Sequence, residues 1–156
     1  MDKISLILAL LLLLTTLQST FFFLVVLKVS FIEWIVFNAC APSNITFLIG
    51  FVLFLLFKNR TVLYMAILPM FFFGTLGLFV FPWHGMNIIP QIGHIIMTLN
   101  ILWAVWIMFK TNDYKAATIG MLLGIAVFSV FIGFQQRYVA THQEDFKRIM
   151  QIEKPK

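Results

Sequence analysis

Asn87, Gln91, His94 and Thr98 recur every three or four residues in the stretch NIIPQIGHIIMT, positions 87–98. At roughly 100° of helix per residue they fall within an arc of about 60°. Two amides, an imidazole and a hydroxyl on one face can bind a polar solute by neutral hydrogen bonds. A neutral imidazole is one donor and one acceptor, so both its nitrogens need partners. Gln91 and Thr98 stand one turn to either side of it. Positions 61–109 contain no Asp, Glu, Lys or Arg, and an apolar run of that length belongs in lipid. An ionisable side chain there faces the bundle or a cavity rather than lipid tails.

A second chemistry needs Cys40, the single cysteine. Cys40 and His94 form a nucleophile pair if the imidazole comes within hydrogen-bond reach of the thiol. One cysteine excludes an internal disulfide and a cysteine-only metal site. His84, Met86, His94 and Met97 include copper-type donors, but His84 lies in a loop, methionine is an ordinary lipid-facing filler here, and His94 is the one histidine in a span, so no metal, haem or other cofactor is expected. The chain has no phosphate loop, no paired carboxylates and no zinc spacing. The spans also lack the Asp or Glu that proton- and cation-coupled pumps place in the membrane.

The elements that must position these groups follow from composition and charge. The chain has 156 residues, 62% hydrophobic and 11% charged, which excludes a soluble domain and makes the lipid bilayer its first partner. The formal charge of +5 sits beside apolar runs. That placement suits headgroups and topology signals, not nucleic acid. Charge-free gaps separate Lys3 from Lys28, Glu33 from Lys58, Arg60 from Lys110 and Lys115 from Arg137. About 20 helical residues cross a bilayer. The third gap holds two spans, divided by Pro82-Trp83-His84-Gly85.

The fold class predicted is all-α, a polytopic membrane bundle with helices at about 4–27, 34–57, 61–81, 88–109 and 116–137. These make a transmembrane domain over 1–137, followed by a polar C-terminal tail over 138–156. Continuous rather than alternating apolar runs exclude a barrel. The first helix resembles a signal peptide, whose cleavage would leave four spans, but its apolar character continues past a short h-region. Short-loop charges place the N-terminus on the cytoplasmic side of the cell membrane, against the basic residues of the tail. The tail itself reads as a short interfacial helix or a frayed terminus.

Pro42 lies near the middle of 34–57 and predicts a kink or break there, with the Asn38 carbonyl losing its helical partner. Pro69 predicts a second kink. Helices alternate in direction, so most of the polar residues share one half of the membrane, with Asn38, Cys40 and Asn44 at the depth of the His94 stripe. The leading expectation is a small multi-spanning protein that binds or passes a small polar solute in a half-membrane pocket. Its lining would be His94, Gln91, Asn87, Thr98, Asn38 and Asn44. The alternative is an accessory subunit of a membrane complex, held together by a dry polar seam. In that reading Ala116, Gly120 and Gly124, a small-residue face suited to close helix packing, would meet a membrane partner. A membrane-embedded enzyme using Cys40 and His94 is the third reading. The sequence favours a non-enzymatic role over it.

Overall fold

The computed structural model describes residues 3–84 and 88–149. Among them there is no strand, and five helical segments are long and apolar enough to cross a membrane. The first span, Lys3–Val26, is α1 (Lys3–Phe21) continued by a π-helical turn at Phe22–Val26. A short helix α2 (Phe31–Phe37) precedes the second span, α3 (Cys40–Phe57). The third span, Thr61–Val80, is a chain of short pieces: α4 (Thr61–Met65), α5 (Ile67–Met70), a π-helical turn (Phe71–Thr75) and α6 (Gly77–Val80). The fourth and fifth are α7 (Ile88–Thr111) and α8 (Tyr114–Thr141), and α9 (Gln143–Ile149) follows.

The break in the second helix lies upstream of its expected place. The helix stops at Asn38, with φ −105° and ψ 60°, and restarts after Ala39. Pro42 therefore occupies the first turn of α3, where a missing N–H leaves no helical bond unmade. The Asn38 carbonyl, expected to be orphaned, accepts from the Ala41 amide at 2.9 Å. In a continuous helix the Pro42 ring would press on the carbonyl four residues back, that of Asn38; the interruption at Asn38 relieves that clash, while Ala41, the residue before the proline, stays within α3. At Pro69 the chain answers differently. The ring removes the donor that would reach the Met65 carbonyl, the helix changes register around Ala66, and a π turn follows.

α2 begins with a capping box: the Glu33 amide donates to Ser30 Oγ at 3.2 Å, and the Ser30 amide donates to the Glu33 carboxylate at 2.7 Å. Those bonds hold the Glu33 carboxyl below the usual carboxylate range, the Ser30 backbone amide contributing most. A depressed folded-state pKa stabilises the fold above the ordinary carboxylate pKa. That contribution disappears as pH falls through the folded value. Amide protection over residues 31–37 is expected to fall with acidification in this window, and the pH dependence to vanish in Glu33→Gln. Exchange measured by mass spectrometry checks both. Ser30→Ala should loosen α2 by about 1 kcal/mol at neutral pH.

The third and fourth spans are the most enclosed. Leu12, Phe47, Phe51, Leu63, Tyr64, Met70, Met97, Trp103 and Ala104 form the centre of the core. The outward positions are Leu, Ile, Val and Phe from all five spans, as a lipid-facing surface requires. Arg60 Nη1 meets the Asp113 carboxylate at 3.1 Å and joins the two loops at one end of the bundle.

The small-residue face of α8 is occupied from within the chain. Gly120 and Gly124 are buried against α4. A Cβ at Gly120 would strike the Thr61 carbonyl oxygen, and one at Gly124 the Met65 carbonyl oxygen. The latter is the carbonyl that Pro69 deprives of its helical donor. At the other end of α8, Gln135 Nε2 donates to the Val36 carbonyl at 2.8 Å, and α9 brings the Phe146 ring to 5.3 Å from Phe37.

Candidate functional site

The π turn of the third span, the restart of the second helix and the first half of α7 converge on His94. Its ring is buried, 6% exposed, and Gln91 is fully buried beside it. Gln91 takes its orientation from the end of the third span. Phe81 leaves the helix in an extended conformation, and helix ends leave carbonyls without partners. Gln91 Nε2 donates to the Phe81 carbonyl at 2.7 Å and to the Gly77 carbonyl at 3.4 Å. Trp83 Nε1 caps a third carbonyl, Leu78, at 3.0 Å.

This fixes the protons around the imidazole. Carbonyl oxygens only accept, so the Gln91 nitrogen must face Phe81 and the Gln91 oxygen must face His94. Gln91 Oε1 lies 3.1 Å from His94 Nδ1. Two acceptors would repel there, so Nδ1 carries the hydrogen and donates, and Nε2 keeps a lone pair. That lone pair faces Cys40 Sγ at 3.6 Å. The thiol hydrogen has a second acceptor, the Phe73 carbonyl in the π turn, at 3.3 Å. The result is a directional chain from Cys40 through His94 to Gln91 and the Phe81 carbonyl. A nucleophile, a base and a third group orienting the base form the constellation that activates a thiol.

The ring sits in a tailored slot. Phe81 stacks on it with centroids 5.8 Å apart and planes 27° apart. Gly77 forms another wall, and a Cβ there would lie 2.6 Å from His94 Cε1. Thr98 donates to the His94 carbonyl at 2.9 Å and pairs with Thr75 Oγ1 at 3.0 Å, fastening α7 to the π turn.

Of the residues singled out by sequence, His94, Gln91 and Cys40 come together, and Thr98 supports them from one turn away. Asn87 lies outside the described residues. Asn38 and Asn44 do not reach His94. They turn to the first span, Asn38 Nδ2 to Ser19 Oγ at 2.8 Å and Asn44 Nδ2 to Thr16 Oγ1 at 3.2 Å. The Asn38 and Asn44 bonds thus lie apart from the group formed by Cys40, His94 and Gln91. Two grooves, of about 280 and 440 Å³, are lined by residues 27–33 with Arg148 and Ile149, and by residues 135–146. Neither includes His94, Gln91 or Cys40.

Sequence reasoning gave no role to Gly77, to the carbonyls of Phe73 and Phe81, or to Phe81 as a stacking partner. A glycine one turn before a helix end was the available signal for Gly77. The carbonyls carried none, because every residue has one. No group of three or more His, Cys, Asp or Glu side chains capable of holding a metal occurs among the described residues. Comparisons with protein-family models, curated proteins and solved structures find no match for this chain.

Proposed function

We propose that this chain is an integral protein of the cell membrane whose working group is the Cys40 thiol, with His94 as its proton acceptor and Gln91 as the residue that orients His94. The observation that supports the reading is the one-way hydrogen-bond chain, in which the Gln91 amide leaves the His94 Nε2 lone pair facing Cys40 Sγ at 3.6 Å. Separating charge in an apolar site is costly, so the resting pair is neutral, and the proton moves to His94 as the sulfur attacks. The short-loop basic residues support a cytoplasmic N-terminus, and with that orientation the thiol lies in the opposite half of the bilayer.

A polar-solute pocket has less support, since Asn38 and Asn44 bond to the first span instead of joining His94.

Cys40 is the single cysteine, so a thiol reagent reports on this site alone. In lipid nanodiscs, membrane-permeant N-ethylmaleimide should alkylate the wild-type protein about 100-fold faster than His94→Ala, the lower end of a general base's contribution. Removing the ring also opens space beside the sulfur, which favours the variant and makes the test conservative. Equal rates in folded proteins would remove the reading.

A further inference from the structure

We infer that the reactant for this thiol is the carbonyl of a long-chain acyl ester or thioester entering from the lipid phase, and that Cys40 becomes S-acylated. This rests on the thiol reading above and adds the substrate class. Two observations carry it. Cys40 is the accessible member of the chain: it is partly exposed, while His94 and Gln91 are buried. Around the site the third span presents apolar surface, with Phe71, Phe72, Phe79 and Val80 all exposed. A reactant that reaches Cys40 therefore travels among acyl chains and carries its electrophile on one.

The step balances without an oxidant or a metal. Cys40 Sγ attacks the acyl carbonyl carbon, and its proton passes to His94 Nε2. The Gln91 oxygen, already accepting from Nδ1, stabilises the imidazolium. The tetrahedral intermediate collapses with cleavage of the carbon–oxygen bond of an ester, or the carbon–sulfur bond of a thioester. His94 returns the proton to the departing alcohol or thiol. The products are an S-acyl Cys40, a free leaving group and a neutral imidazole. Transfer onward to a second nucleophile would reverse the same proton path.

The test uses full-length protein in nanodiscs and three probes: a phospholipid with an alkyne-terminated acyl chain, alkyne-palmitoyl-coenzyme A, and water-soluble p-nitrophenyl acetate. The expected result is a hydroxylamine-labile alkyne label on the wild-type protein, absent in Cys40→Ser and about 100-fold slower to form in His94→Ala. Whichever long-chain probe labels first identifies the source as a bilayer ester or a soluble thioester. Acetyl transfer from the soluble ester should be the slowest of the three. Faster labelling by p-nitrophenyl acetate overturns the lipid-phase route. No label from either long-chain probe, with His94-dependent maleimide alkylation intact, overturns acyl transfer and leaves the thiol reading standing. Loss of the His94 dependence in both assays overturns both. Gln91→Met, close in size and without the orienting amide, serves if His94→Ala fails to fold.

Discussion

Gly77→Ala should slow alkylation of Cys40 by about 100-fold, although residue 77 has no side chain and touches no thiol. The added methyl carbon would lie 2.6 Å from His94 Cε1, 2.8 Å from Nδ1 and 3.0 Å from Nε2. Overlap that close forces the ring or the helix to move. The ring has little freedom in place, with Gln91 holding Nδ1 and Phe81 covering a face. Displacement breaks the contact with Cys40, and a misplacement of about 1 Å can lower a rate by about 100-fold. The accompanying loss of stability should be about 1–3 kcal/mol, as for other overpacked sites. A thermal melt beside the alkylation rate separates the two effects. In a His94→Ala background, the same substitution should lower the alkylation rate no further, because the clashing ring and the base are already gone. A double-mutant cycle reads that coupling directly. Wild-type alkylation in a folded Gly77→Ala protein would mean that the slot does not position the base.

The largest effect on stability is expected at the contact between α4 and α8. Gly124→Leu should destabilise the bundle by about 3 kcal/mol, at the upper end of overpacking penalties. A side chain at 124 meets the Met65 carbonyl oxygen, and backbone cannot rotate away as a flexible side-chain tip can. Without a hydrophobic driving force between helices in lipid, close backbone approach provides much of the association. Separating α8 from α4 therefore removes the contacts that bury Gly120 and Gly124. Gly133 is the internal control. It lies on the same helix with nothing within 4 Å of its ideal Cβ. Gly133→Ala should be neutral or stabilising by up to about 1 kcal/mol, through helix propensity. Unfolding in mixed micelles compares the two, and similar losses at 124 and 133 would contradict the packing account.

The two predictions divide the third span by function. Its α4 portion serves assembly, laying the Thr61 and Met65 carbonyls against glycines of α8. Its later portion serves the site. The π turn offers the Phe73 carbonyl to Cys40, Gly77 makes room for the imidazole, and the Phe81 carbonyl holds Gln91. π turns often mark functional positions. This one meets the segment that restarts after the break at Asn38–Ala39, since its Phe73 carbonyl accepts from Cys40 Sγ. The first and third spans carry π turns, and the second begins just after a break.

The five spans and their order were legible in the charge-free gaps, because burying a charge in hydrocarbon costs enough to exclude it from a lipid-crossing helix. The helical face joining Gln91, His94 and Thr98 was legible too, since spacing within one helix fixes direction. So was the shared depth of Cys40 and His94, which follows from helices alternating in direction. Sequence did not determine which polar residues meet. Asn44 and Cys40 lie one turn apart in α3, yet Asn44 bonds to Thr16 and Cys40 faces His94. A membrane helix is apolar on nearly every side, so the periodicity that reveals the buried face of a soluble helix is blunted. Its rotation is settled by its neighbours. The break at Asn38–Ala39, upstream of Pro42, and the Gly77 slot are likewise tertiary outcomes, set by how the helices pack. The NIIPQIGHIIMT face contained the imidazole and its orienting amide, and only the packed bundle placed the thiol opposite them.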